Sequence, residues 1–186
     1  AYALKHNVPL TFTDATDLIH CDQVDAVYIA TPPHVHETYA LQAIAAGKPV
    51  YIEKPMALDV ASCERIHAAA EKANIKLVIA HYRRALPLFM RVKELLDQHV
   101  IGPINEVVIT MHKPLKEHDT ASSNWRVDPS IAGAGYFYDL APHQLDLLFY
   151  FFGEAASYQG KATNQSKVYA AEDTVEGEVV MKNGVT

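Results

Sequence analysis

Cysteine is nearly absent. Cys21 and Cys63 are the two in 186 residues. They offer no metal-ligand spacing and no disulfide framework, and Cys63 falls within a helical pattern. Both read as reduced structural thiols of a reducing compartment, which points to the cytoplasm. No run of eighteen apolar residues occurs, so no stretch has the length of a membrane-spanning helix. Clustered basic residues are missing too. Sixteen Lys and Arg are scattered among 22 Asp and Glu, for a formal charge of -6. That balance excludes an electrostatic nucleic-acid surface. There is no internal repeat, no low-complexity stretch and no Gly-x-Gly-x-x-Gly phosphate turn. What is present is a 49% hydrophobic chain, enough for one or two globular domains.

Both ends read as interior sequence. Residues 1–7 look like the last turns of a helix. At the other end Asn183-Gly184 signals a hairpin with both central residues at positive φ, and the returning strand should begin at Val185. The expectation is an internal fragment of a longer protein.

Between the ends, residues 13–20 form a short helix that Thr13 or Asp14 can cap. Residues 24–30 read as a strand buried on both faces. Thr31-Pro32-Pro33-His34 then opens a helix over 35–46, with Gly47 as its C′ residue. A strand at 50–52 follows. Asp59 caps a helix over 60–73 that Asn74 stops, and residues 75–80 are a third apolar strand. Strands alternating with helices across short connections predict a parallel sheet with right-handed crossovers, half of a doubly wound nucleotide-binding domain. After His81 the pattern changes. An amphipathic helix at 87–99 buries Phe89, Val92, Leu95 and Leu96, a strand runs over 104–111, and 113–124 is a polar loop. A helix at 136–152 ends at Gly153, and strands at about 156–165 and 174–181 close the chain. The fold class is therefore α/β. A C-terminal half of a Rossmann-type parallel sheet, residues 1–83, precedes an α+β domain with an open, mainly antiparallel sheet, residues 84–186.

Glu53-Lys54-Pro55 ends the second parallel strand. Open α/β sheets bind ligands at strand carboxyl ends, so this charged pair reads as a site; the alternative is a solvated loop pair. Asp139 and His143 stand four apart on a helix and share a face with Asp146. A carboxylate beside an imidazole orients the ring and stabilises its charged form, which suits a general base. A solvated helix pair and a two-ligand corner of a metal site are the competing readings. Trp125-Arg126 can stack on a ring or clamp a phosphate. Tyr82-Arg83-Arg84 follows the third parallel strand, and one of its arginines should point inward. Tyr136, Phe137 and Tyr138 read as core, with one tyrosine lining a pocket.

Ala30-Thr31-Pro32-Pro33-His34-Val35-His36, Glu53-Lys54-Pro55, and Gly133-Ala134-Gly135 with Asp139, His143 and Asp146 occur in that order. Together they resemble the glucose–fructose oxidoreductase / inositol dehydrogenase / MocA family over nearly the whole chain. The resemblance implies a Rossmann domain followed by an open-sheet domain that often forms a dimer interface. It also implies NAD- or NADP-dependent oxidation or reduction of sugars, polyols or diols. On it, Lys54 lies by the nicotinamide and the reacting oxygen, His143 is the acid/base and Asp139 its partner. Thr31, Pro32, His36 and Glu53 would contact the nicotinamide side of the cofactor, and Trp125-Arg126 would approach cofactor or substrate. Tyr82, Arg83, Tyr136, Asp139 and His143 would line the substrate, a small polyhydroxylated molecule. The family commonly has Gly where Ala141 stands, and often where Ala134 stands. A homo-oligomer formed through the C-terminal sheet is expected. Two alternatives remain: a non-catalytic binding or dimerisation fragment, and Schiff-base chemistry at Lys54.

Overall fold

The computed structural model describes residues 2–119 and 124–186. The chain divides into two compact units, Ala1–Ala80 and His81–Thr186.

The first unit opens with two short helices, α1 (Tyr2–Lys5) and α2 (Ala15–Ile19). Asp14 caps α2 by accepting from the Thr16 amide at 2.7 Å. Three strands follow, β1 (Val27–Ile29), β2 (Val50–Ile52) and β3 (Leu77–Ile79), with helices α3 (His36–Ala45) and α4 (Val60–Ala73) between them. The strands lie in the order β1-β2-β3, all parallel, with Val27 opposite Val50 and Val50 opposite Leu77. Caps set the helix limits. Asp59 accepts from the Ser62 amide at 2.7 Å to start α4, and Asn74 ends it at φ +53°. After α3, Gly47 adopts φ +74° as expected of a residue that stops a helix.

Val27, Ile29, Val50 and Ile52 point into one core with Ala40, Ala43 and Ile44 of α3 and Ile66 and Ala70 of α4. Ile52 and Ile66 are fully buried, each worth about 1.5–3 kcal/mol of transfer free energy. The strands are thus buried on one face, not on both as expected. Tyr28, at 56% exposed, Tyr51 and Val78 form a row along the opposite face, aligned by the register. The reason is handedness: successive right-handed crossovers put α3 and α4 on the same side of the sheet.

The second unit contains α5 (Pro87–Asp97), α6 (Pro129–Ala132), α7 (Tyr136–Phe152) and the antiparallel pair β4 (Ala155–Thr163) and β5 (Thr174–Met181). Phe89, Val92, Leu95 and Leu96 are the half-buried apolar side chains of α5, the face that the periodicity predicts. The expected strand at 104–111 is absent. Its backbone makes a single bridge: the Val107 amide donates to Thr186 at 2.8 Å, and the Thr186 amide to Asn105 at 3.1 Å. One bridge builds no ladder, and Val108, Ile109 and Met111 stay exposed. The Asn183-Gly184 turn also differs from expectation. Gly184 alone of the pair has positive φ, +90°, and its amide donates to Met181 at 3.0 Å while Met181 donates to Val185 at 2.8 Å. That is a turn closed by a glycine bulge, the three-residue type of hairpin. Of the expected polar loop, residues 120–123 lie outside the described residues; Glu117–Asp119 forms a 3-10 turn.

Candidate active site

In the first unit the relevant residues gather at the carboxyl ends of β1 and β2. Parallel strands end on the same edge, so Thr31 and Glu53 leave the sheet side by side. The Glu53 amide donates to Ile29 at 2.9 Å, continuing the ladder one residue past β2. Tyr28 donates from its hydroxyl to the Glu53 carboxylate, and that bond pushes the phenol up to about 12. Lys54 follows, half-buried, joined to Pro55 by a cis peptide bond. Pro32, at φ -62° and ψ 150°, turns the chain into a 3-10 turn, Pro33–Val35, that leads to α3. The Thr31 hydroxyl oxygen is buried and has no hydrogen-bond partner among the described residues. A buried hydroxyl without a partner is costly, and it marks where an external polar group would be welcome.

His36 was expected to touch the cofactor. It is instead 1% exposed. Its Nε2 lies 2.7 Å from the Thr31 carbonyl oxygen and its Nδ1 3.0 Å from that of Pro55. The ring is spent on the protein's own backbone.

In the second unit the relevant residues converge on α7. Gly135 starts the helix because no larger residue fits: an added Cβ would lie 2.5 Å from the Glu172 carbonyl oxygen. Asp139 and His143 stand one turn apart, and His143 is 7% exposed. The ring of Tyr82 packs edge-on against His143, centroids 5.5 Å apart. Of the two arginines, Arg84, itself exposed, is the one that pairs with buried Asp146. Its Nε donates to both oxygens of buried Asp146 at 2.8 Å, and its Nη2 to Oδ1 at 2.5 Å. His81 Nδ1 lies 3.7 Å from the same carboxylate. Arg83, expected at the substrate, is half-buried beside it in the 3-10 turn Tyr82–Ala85. Trp125 and Arg126 lie in a 3-10 turn capped by Asn124. The Arg126 guanidinium stacks 4.5 Å from the Trp125 ring, with its Nε 3.5 Å from Asp139 Oδ2.

Around Tyr136 lies a cluster whose charged members, Asp119 and Lys113, no sequence pattern singles out. Asp119, 1% exposed, accepts from Lys113 Nζ at 2.7 Å on both oxygens, from the Lys116 amide at 2.9 Å, and from the Tyr136 hydroxyl. Lys113, and then Tyr136, hold the carboxyl well below the usual carboxylate range. Lys113 is also raised. Burial is the largest single influence and works against its charge, but Asp119 and Tyr136 together outweigh it. Lys113 Nζ sits 3.8 Å above the Tyr136 ring, and Asn124 donates to the Tyr136 hydroxyl at 3.1 Å. Lys113, Asp119 and Tyr136 line a cavity of about 450 Å³ with Tyr169 and other residues of the loop between β4 and β5. The signal was weak because Asp119 lies in an aperiodic stretch, 17 residues before its tyrosine partner.

Two family profiles cover this chain. The one described as an oxidoreductase family with NAD-binding Rossmann fold matches residues 1–81, and the GFO/IDH/MocA C-terminal domain matches residues 89–186. The chain belongs to the GFO/IDH/MocA oxidoreductase family. Among its relatives is Oxidoreductase P35 of Formosa agariphila, 42% identical over 186 residues, which cover 99% of this chain and 57% of that protein. Inositol 2-dehydrogenase of Klebsiella pneumoniae is 32% identical over 139 residues, 74% of this chain and 38% of that protein. The chain thus spans about half, or less, of the length of these relatives. A solved structure, the WlbA dehydrogenase of Bordetella pertussis in complex with NADH and UDP-GlcNAcA, superposes with a TM-score of 0.84 at 26% identity. The match covers 99% of this chain and 53% of that one. Within the family frame, the parallel sheet carrying Lys54 falls in the NAD-binding match and α7 in the C-terminal match.

Proposed function

We propose that the protein to which this chain belongs is an NAD- or NADP-dependent oxidoreductase acting on a sugar, polyol or diol-like substrate. The observation that carries this reading is the edge formed by Thr31 and Glu53-Lys54-Pro55. A half-buried lysine stands there at the carboxyl end of a parallel strand, and the neighbouring threonine hydroxyl is buried and unpartnered. Both suit a bound nicotinamide ribose and a reacting oxygen. Thr31, Pro32 and Glu53 would hold the nicotinamide side of the cofactor. A bound nicotinamide supplies the hydride acceptor or donor.

The chain's own residues do the rest. His143 takes the hydroxyl proton of the carbinol in the oxidative direction and returns it in the reductive one, help worth on the order of 10² to 10⁴ in rate. Lys54, at the nicotinamide-side edge, donates a hydrogen bond to a substrate oxygen on which negative charge develops, worth roughly 3 kcal/mol. Asp139 orients the imidazole, and Arg126, beside Asp139, holds that carboxylate toward the Trp125 turn. Tyr82, Arg83 and Tyr136 line the substrate. The names of the relatives, an inositol dehydrogenase among them, support a polyhydroxylated small molecule. Two free thiols, with Cys63 pushed up by burial, suit the cytoplasm. The exposed face of β4 and β5, with Tyr158 largely bare, suits a homo-oligomer.

The test is Lys54→Met in the full-length protein. Turnover should fall about 100-fold, while NADH or NADPH affinity, read by nicotinamide fluorescence, changes little. A variant with wild-type turnover would falsify the assignment.

A further inference from the structure

Carbonyl oxygens only accept hydrogen bonds. A hydrogen bond to a carbonyl needs an N–H on that ring nitrogen, and the neutral imidazole carries one, on whichever nitrogen the tautomer places it. Nε2 reaches Thr31 at 2.7 Å, at the end of β1, and Nδ1 reaches Pro55 at 3.0 Å, just past β2. The two carbonyls belong to chain segments that leave the sheet at adjacent strands and that share no ladder bond beyond the Glu53 amide to Ile29. The imidazole sits in the first turn of α3, a helix packed into the core through Ala40, Ala43 and Ile44. A rigid ring on a rigid helix thus holds both exits at one spacing.

We propose that His36 is a positioning residue, a two-handed clamp that joins the Thr31 exit to the Lys54-Pro55 turn and fixes the backbone from which Lys54 reaches its oxygen. This rests on the reading of Lys54 given above. His36 touches neither cofactor nor substrate in this role and acts through Lys54. Misplacing a catalytic group by about 1 Å can cost on the order of 10² in rate, so the clamp is worth having although it takes no part in the chemistry.

The test is a double-mutant cycle in the full-length protein. His36→Leu keeps a side chain of similar bulk but removes both ring nitrogens. It should lower kcat about tenfold or more while NADH affinity stays within about threefold. His36→Gln keeps a donor and should recover part of that loss. In a Lys54→Met background, His36→Leu should cost almost nothing further, because residues acting through one group are not additive. Additive losses overturn the proposal. So does a His36→Leu variant that melts earlier yet keeps its kcat, which is what a purely structural histidine gives. If Lys54→Met itself keeps wild-type turnover, the reading of Lys54 fails and the positioning role with it. One measurement on the wild type needs no variant to fold: nitrogen-15 spectra should detect coupling across a hydrogen bond from a protonated His36 ring nitrogen to the carbonyl carbon of Thr31 or Pro55. Coupling to either supports the clamp, and its absence at both overturns it.

Discussion

The two units hold their chemistry in place by different means. In Ala1–Ala80 the candidate residues are fixed by backbone: ladder bonds along three parallel strands, and an imidazole on two carbonyl oxygens. In His81–Thr186 they are fixed by charge: Arg84 on Asp146, Lys113 on Asp119, Arg126 beside Asp139. Ladder bonds between backbone groups are indifferent to pH and salt over the ordinary range. Ion pairs are not, and removing one partner strands the other. The second unit should therefore be the one that responds to acid and to single charge deletions.

The sharpest way to break this contrast is Arg84→Met. It leaves buried Asp146 with its strongest donor gone and should cost about 2–3 kcal/mol by urea unfolding of the full-length protein. A loss below about 0.5 kcal/mol would be that of an ordinary surface change and would remove Arg84 from the account.

Asp119 sharpens the contrast through pH. Its carboxyl is held well below the ordinary carboxylate range, first by Lys113 and then by Tyr136. A depressed folded-state value stabilises the fold above the unfolded-state pKa, near 3.9, and that contribution is lost as pH falls toward the folded-state value. Asp119→Asn should therefore lower the melting temperature at pH 7. The gap to wild type should narrow as both proteins are melted at successively lower pH between about 5 and 2. A gap independent of pH would assign the loss to packing rather than charge.

The smallest effect belongs to the first unit. Tyr28 is pushed up to about 12 by its hydrogen bond to Glu53. A raised value stabilises fully below the unfolded-state pKa, near 10, and is lost as pH rises through about 12. Because Tyr28 lies on the exposed sheet face, Tyr28→Phe should shift stability at pH 7 by less than about 0.5 kcal/mol. Ultraviolet titration of the wild type should find one late-ionising phenol that the variant lacks.

The same contrast explains what was legible in the sequence. Elements governed by local rules were readable: Asp59 and Asn74 bracket α4, Gly153 ends α7, and the strand at Val50–Ile52 stands where its apolar run lies. The one-sided burial of Tyr28 and Tyr51 was not, because a strand of three residues carries too little alternation to reveal which side the helices cover. Residues 104–111 alternate like a strand, yet strand formation needs a partner, and periodicity does not supply one. Among the candidate site residues, Asp139 and His143 were visible through helical spacing. Arg84, adjacent to Arg83, was not separable from it, since neighbours in a 3-10 turn differ only in direction. The role of His36 was hidden because its partners are carbonyl oxygens, which every residue has.

Gly135 begins α7 without a side-chain cap of its own, and its amide donates instead to both oxygens of Glu172 at 2.8 Å. Glu172 lies 37 residues downstream, in the connection between β4 and β5. The carboxylate also meets the positive end of the helix dipole. The consequence concerns the order in which the chain assembles. On its own, the helix bearing Asp139 and His143 begins with an open first turn and frays there. It is closed only when the β4–β5 hairpin has formed and returned to it. A contact that distant in sequence forms late, because its loop-closure entropy must be met first. The first turn of α7 should be among the last segments of this unit to gain protection from hydrogen exchange during refolding.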